Sequence, residues 1–188
     1  MTYAPESASD EALAHRAAGG DRAAFNGLIR RYKEPLYRFV RRYVGDADDA
    51  YDLLQDTFIS AWRALHRYDP KRPFSPWLHR IALNKCRDFG RRKAVRRTFL
   101  RLLALGTEDQ PPMDVGGADE ELEASARLAR LNMAIAALPT LYKEPLLLTV
   151  IEGLSQDEAA VILGTTRKAI EMRLYRARRK LADELEKG

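Results

Sequence analysis

Residues 153–181 read GLSQDEAAVILGTTRKAIEMRLYRARRKL, two short helical stretches broken at Gly164. Ser155 stands where an N-cap hydroxyl accepts from the backbone three residues on, and Glu158 at that position reaches back to the cap's own amide. The spacing predicts a helix start at Ser155. Leu154, Ala159, Ile162 and Leu163 then form an apolar stripe at helical spacing, and Gly164 supplies the left-handed residue that closes a helix in a tight turn. A second helix follows, capped by Thr165 or Thr166, with Ile170, Leu174, Ala177 and Leu181 recurring on its inward face. Its outward face is Arg167, Lys168, Arg173, Arg176, Arg178, Arg179 and Lys180. A cationic helix is commonly only a solvated face. Here, however, capping box, glycine turn, two matched stripes and seven cations within fourteen residues agree. The reading is a helix-turn-helix whose second helix suits the DNA major groove.

The whole chain of 188 residues carries a net charge of +5, which favours an anionic partner, nucleic acid before a membrane surface. No run of about 18 apolar residues exists, so no spanning helix is expected. Met1 to Glu11 lacks the basic start and apolar core of a signal peptide, so a cytoplasmic protein without membrane insertion is expected. Cys86 is the single cysteine, and His15, His66 and His79 are scattered without ligand spacing. No disulfide, metal site or cofactor is expected. Cys86, among Ile81, Ala82 and Phe89, reads as a small buried hydrophobe, and the histidines as surface or half-buried residues.

From Asp10 to Arg97 the periodicity is helical, and no stretch alternates with period two. The fold class is all-α. Ala23, Phe25, Leu28, Ile29 and Tyr32 open one helix, which Pro35 is expected to bend or restart before Leu36, Phe39, Val40 and Tyr43. Leu54, Phe58, Ala61, Trp62 and Leu65 stripe the next. Tyr68 to Pro76 reads as a proline-punctuated loop, and Trp77, Leu78, Ile81, Ala82 and Phe89 restart a helix running into Arg91-Arg92-Lys93. Around Leu105 to Ala124 the composition turns to glycine, proline and acid, with Asp109, Asp114, Asp119, Glu120 and Glu121, an acidic linker. A second helical unit follows through Leu128, Leu131, Ile135 and Leu138, then Tyr142 to Glu152. The expected organisation is two small helical domains, 10–97 and 125–188, joined by the linker 98–124, the second ending in the helix-turn-helix.

Three blocks and the C-terminal segment resemble a known family. Gly20-Asp21-Arg22-Ala23-Ala24-Phe25 is similar to its opening helices, and Asp49-Ala50-Tyr51-Asp52-Leu53-Leu54-Gln55-Asp56-Thr57-Phe58 to its polymerase-binding helix. Phe74-Ser75-Pro76-Trp77-Leu78-His79-Arg80-Ile81-Ala82-Leu83-Asn84 is similar to its promoter-opening helix, while Ala137-Leu138-Pro139 and Glu152-Gly153-Leu154-Ser155 match short motifs near its end. In this order and spacing the chain resembles a bacterial extracytoplasmic-function (ECF) sigma factor of RNA polymerase. The resemblance implies core RNA polymerase and promoter DNA as partners, the first domain binding the minus-10 element and the second the minus-35 element.

Leu54, Phe58 and Trp62 take the inward face of their helix, leaving Asp52, Gln55 and Asp56 on a polar face. By residue type that face is either solvated or a docking surface; the resemblance implies contact with the polymerase, with Tyr51 where the family usually has Glu. Promoter opening takes bases out of the stack, and the family does this at the loop that here holds Lys71 and Arg72 and at Asn84, whose amide both donates and accepts. Arg80, Arg87, Arg91 and Arg92 lie along the same helix and suit phosphates, which set position rather than sequence. Trp77, four residues before Ile81, is assigned to core packing rather than base stacking. In the second domain Thr166, Arg167, Lys168, Glu171, Met172, Arg173 and Arg176 are the minus-35 candidates. Arg173 is the best single base reader. Glu171 either accepts from cytosine or repels phosphate, and the residues alone leave both open. The linker is either a tether or, as in the family, a chain threading the RNA exit channel.

The rival within DNA binding is a stand-alone helix-turn-helix regulator, which would bind duplex DNA unaided. An enzyme is not expected, since Ser60, Ser75 and Ser125 have no neighbouring base to activate them, and no small-molecule substrate is expected either. Sigma factors of this size are usually held by an anti-sigma protein, so the resemblance implies such a partner in trans.

Overall fold

The computed structural model describes residues 8–102 and 120–186, and side chains within 8–96 and 127–186. Eight α-helices make up the described chain: α1 (Asp10–Ala18), α2 (Arg22–Val44), α3 (Ala47–Ala64), α4 (Phe74–Leu102), α5 (Glu120–Ala137), α6 (Thr140–Leu146), α7 (Gln156–Leu163) and α8 (Arg167–Leu185). The fold is all-α, in two helical units, α1–α4 and α5–α8. The expected acidic linker falls largely on 103–119, outside the described residues, and helix reaches into both ends of the segment expected to be linker, to Leu102 and from Glu120.

In the first unit α2 packs against α1, α3 and α4. Leu13, Leu28, Leu36, Phe39, Leu65, Phe74, Leu78 and Leu83 are buried to the last few per cent. Asp10 ties α1 to α2, accepting from Arg31 and from the Tyr32 hydroxyl at 2.5 Å each. Caps set the helix starts: Asp21 accepts from the Ala24 amide at 3.0 Å and Asp46 from the Asp49 amide at 2.9 Å. Asp21 also receives Arg16, and the Ala24 amide together with that guanidinium holds its carboxyl below the usual range.

Pro35 does not restart α2, which runs unbroken from Arg22 to Val44. An interior proline costs about 3 kcal/mol. Buried Phe25, Leu28, Leu36, Phe39 and Val40 lie on both sides of it, and at roughly 1.5–3 kcal/mol each they outweigh the missing bond. The proline-rich loop is likewise shorter than expected, because α4 already starts at Phe74 and takes Pro76 into its first turn. Amides of a first turn have no intrahelical acceptor, so a proline there loses nothing. The Phe74 amide donates instead to Glu11 of α1 at 3.3 Å. Tyr68, expected in a loop, is buried against Phe74 and Trp77, with ring centroids 5.5 and 5.2 Å away. Trp77 therefore packs, as its spacing from Ile81 indicated.

In the second unit α6 gives way at Leu147–Ile151 to a π-helical turn. The Glu152 amide donates to the Leu147 carbonyl at 3.1 Å, one residue wider than an α-helical bond. The widened turn places Leu147 and Leu148 fully in the core.

Candidate nucleic-acid interface

The helix-turn-helix has the geometry its residues encode. Ser155 accepts from the Glu158 amide at 3.2 Å while the Glu158 carboxylate accepts from the Ser155 amide at 2.8 Å. Gly164 closes α7 at φ 64°, ψ 43°, and of the two candidate caps Thr166 caps α8, accepting from the Ala169 amide at 3.2 Å. Ile170, Leu174 and Ala177 are buried, with Leu181 packed at the core's edge. Arg167, Lys168, Glu171, Met172 and Arg176 stand in solvent, whereas Arg173 is half-buried. Arg167 reaches Asp157 at 3.2 Å, an exposed pair that leaves the guanidinium available. Tyr175, 58% exposed, shares the face of Lys168, Met172 and Arg179. Sequence reasoning passed over it, although its spacing of three from Met172 was the available signal.

On α3, Asp52, Gln55 and Asp56 are all exposed, opposite buried Leu53, Leu54, Thr57 and Phe58. Tyr51 and Ile59 flank them and are about half exposed, so this acidic face has apolar edges. Lys71 and Arg72 are exposed in the loop before α4. That loop is clamped rather than loose. The Tyr68 hydroxyl donates to the Arg72 carbonyl at 2.5 Å, and Asp69 receives the Lys71 amide at 3.0 Å.

Along α4, Arg80, Asn84, Arg87 and Arg91 recur every three or four residues, the spacing of one helix face. Asn84 and Arg92 are exposed, and exposed Arg91 pairs with Asp88. Arg80 and Arg87 instead reach the second unit. Arg80 Nη2 donates to the Val161 carbonyl of α7 at 2.6 Å. Arg87 makes a bidentate pair with Glu144 of α6, Nε to Oε1 and Nη2 to Oε2 at 2.6 Å each.

Glu144 is the centre of a buried seam between the units, and residue spacing gave no sign of it. Its side chain is 6% exposed and also accepts from the Tyr43 hydroxyl of α2 at 3.1 Å. Burial, and then the Glu144 charge, push the Tyr43 hydroxyl well above its ordinary range; the hydrogen bond to Glu144 raises that of Arg87. Lys143 beside it is pulled down by burial. Its ammonium is compensated by the Ala136 carbonyl, by the Tyr43 carbonyl at 3.1 Å, and by the Tyr43 ring at 5.0 Å. It thereby serves the C-terminal ends of α2 and α5, where helix carbonyls favour a cation. His79, expected at or near the surface, is instead buried at 2% exposure. Its Nδ1 donates to the Ser75 carbonyl at 2.8 Å and its Nε2 lies 3.0 Å from Glu152 Oε2 in the second unit. The sequence signal was weak: two charges, Lys143 and Glu144, inside an otherwise apolar run.

Comparison with known proteins places these surfaces in context. Residues 28–96 match the family model of Sigma-70 region 2, and residues 128–181 that of Sigma-70, region 4. The chain is similar to RNA polymerase sigma factor NccH of Alcaligenes xylosoxydans xylosoxydans, 42% identical over 173 residues, 92% of each chain. It is similar to RNA polymerase sigma factor CnrH of Cupriavidus metallidurans, 40% identical over 95% of this chain and 94% of the other. The solved structure of CnrH in complex with the cytosolic domain of CnrY superposes with a TM-score of 0.72 at 37% identity, covering 94% of this chain and 97% of that one.

Proposed function

The chain belongs to the ECF sigma factors of RNA polymerase, and from that premise we propose how its surfaces share the work of directing core polymerase to promoters. The exposed Asp52, Gln55 and Asp56 face of α3 docks on the polymerase, with Tyr51 and Ile59 adding apolar contact at its edges. Lys71, Arg72 and Asn84 engage the opened minus-10 strand, and Arg80, Arg87, Arg91 and Arg92 hold its phosphates. Lys168 and Arg176 position α8 on the minus-35 element, with the cap at Thr166 and the nearby Arg167 against a phosphate. Arg173 reads a base, and Met172 with Tyr175 offers apolar contact to thymine methyls. The working domains are 10–97 and 125–188 with 98–124 as connection, and the site of action is the cytoplasm. The role is non-catalytic.

The observation that carries this reading is that one chain presents three separate surfaces: an acidic face on α3, an arginine row on α4 and a cationic helix α8. A lone regulator needs only the third. Among the described residues no helix is long and apolar enough to cross a membrane. Since CnrH is solved with the cytosolic domain of CnrY, a protein that binds this chain in trans, acting as an anti-sigma factor, is part of the proposal.

In-vitro transcription with core polymerase on a promoter library tests it. Initiation from a discrete promoter class is expected, with lower affinity for core polymerase in Asp52→Ala/Asp56→Ala. Tight, specific duplex binding by the free chain in a gel shift, without any initiation, would instead identify a stand-alone regulator.

A further inference from the structure

From Arg167 to Lys180, α8 carries seven cations and a single acid, Glu171. The Glu171 side chain is exposed and makes no ion pair among the described residues, although Arg167 four residues back and Lys168 three back are within one helix turn. Arg167 reaches Asp157 of α7 at 3.2 Å instead. Both carboxylate oxygens of Glu171 are therefore uncommitted on the helix that meets DNA. Thr166 is the N-cap, which makes Glu171 the fifth helical residue. That is the N-terminal part of the helix, the part a helix-turn-helix sets against base edges. Met172 beside it and Tyr175 one turn on are exposed and offer apolar atoms.

A carboxylate pressed against DNA loses water, and that cost is offset only where a donor replaces it. The base edges of the major groove carry two donors, the cytosine N4 and adenine N6 amines. The adenine amine lies between two acceptors, its own N7 and the O4 of the paired thymine, so the second oxygen of a carboxylate meets lone pairs on either side. The cytosine amine has an acceptor on one side only, the O6 of the paired guanine, and a C5–H edge on the other. Guanine and thymine present acceptors alone. We propose that Glu171 is a specificity-determining residue of α8, which selects cytosine at one position of the minus-35 element through its N4 amine, with Met172 against the adjoining pyrimidine edge. This selection rests on the function proposed above for α8 and adds a role for the one acid on its cationic face. At sites without cytosine the carboxylate stays unpaired close to backbone phosphates, so wrong sequences are penalised while the right one is favoured.

The test uses the full chain as holoenzyme with core RNA polymerase, on a promoter library randomised at the minus-35 element. Templates that initiate are sequenced for the unaltered chain, for Glu171→Gln and Glu171→Ala, and for the control Asp183→Asn, which removes an exposed acid beyond the cationic run. Cytosine is expected at one position with about tenfold preference, within the range for one good base contact. Glu171→Gln should move that preference to adenine, which an amide pairs through N6 and N7, and Glu171→Ala should abolish it. Preferences at the other positions should persist in both variants, and Asp183→Asn should keep all of them. Glu171 is exposed and unpartnered, so neither substitution at it removes a contact within the fold. Two results overturn the selection: no cytosine preference in the unaltered chain, or a preference that survives Glu171→Ala. If in the second case binding to every promoter also rises alike, with a steeper salt dependence, the carboxylate only repels phosphate. Absence of initiation from every template overturns the proposed function together with this inference, whereas initiation with preferences independent of Glu171 overturns this inference alone.

Discussion

At Glu144 one carboxylate receives two nitrogens of Arg87 and the Tyr43 hydroxyl, so the residue works through hydrogen bonds that its neighbours in sequence cannot supply. Tyr43→Phe removes one of these donors while keeping the ring under Lys143, and a loss of about 1 kcal/mol in urea unfolding is expected. Cys86 is the opposite kind of residue. Burial pushes its thiol up to about 12, and the thiolate is the reactive form. At pH 8 the native chain should resist iodoacetamide, with alkylation appearing only as denaturant unfolds it; rapid labelling of the folded chain would contradict this burial. The role of Cys86 as a small hydrophobe was legible from its apolar neighbours. That of His79 was not, because the groups around its ring are distant in sequence, Phe39 on α2 and Glu152, which sits 73 positions away.

At the scale of elements, the α7–turn–α8 segment was legible almost residue by residue, since caps, turn and stripe are set within four positions of one another. Ser155→Ala should cost about 1 kcal/mol by removing one side of the capping box. Gly164→Ala should cost about 1–2 kcal/mol: its φ is +64°, and with nothing within 4 Å of an added Cβ the cost is backbone strain alone. Both are read from thermal or urea unfolding, and a neutral Gly164→Ala would mean that the turn is not left-handed. Elements whose form depends on distant partners were less legible. Pro35 reads as a breaker until the core on both sides of it is counted, and the π-turn at Leu147–Ile151 has no local signature. On α8, Arg173→Ala should relax selectivity at one promoter position by about 1–3 kcal/mol, whereas Lys168→Ala should weaken all sequences alike and flatten the salt dependence.

For the whole molecule, several buried protons share one sign. Cys86 is raised from the usual 9.0 to about 12 and Tyr68 from 10.0 to about 12, and Tyr32 and Tyr43 are also raised, each with burial as the leading cause. The folded chain holds these protons more tightly than the unfolded chain, so their stabilisation is fully present below about pH 9 and is lost as pH rises toward 12. Lys143, lowered by burial, acts in the opposite sense below its usual 10.5, one group against four. Unfolding midpoints measured from pH 8 to 11 should therefore fall, steeply above pH 9; a flat profile would contradict the burial of these groups.

The all-α class, the helix-turn-helix, the exposed Asp52, Gln55 and Asp56 face and the cationic α8 were determined by the sequence itself, because periodicity, caps and turns act over a few residues. The tertiary structure alone decided which arginines reach the second unit. Arg80 and Arg87 are identical in kind to Arg91 and Arg92 when read along α4, and only the docking of α6 and α7 gives the first two acceptors from the other unit, while Arg91 pairs within α4 with Asp88. Pairing across the seam depends on groups 57 to 101 positions apart in the chain, a range at which hydrogen bonding and desolvation leave no periodic trace in sequence.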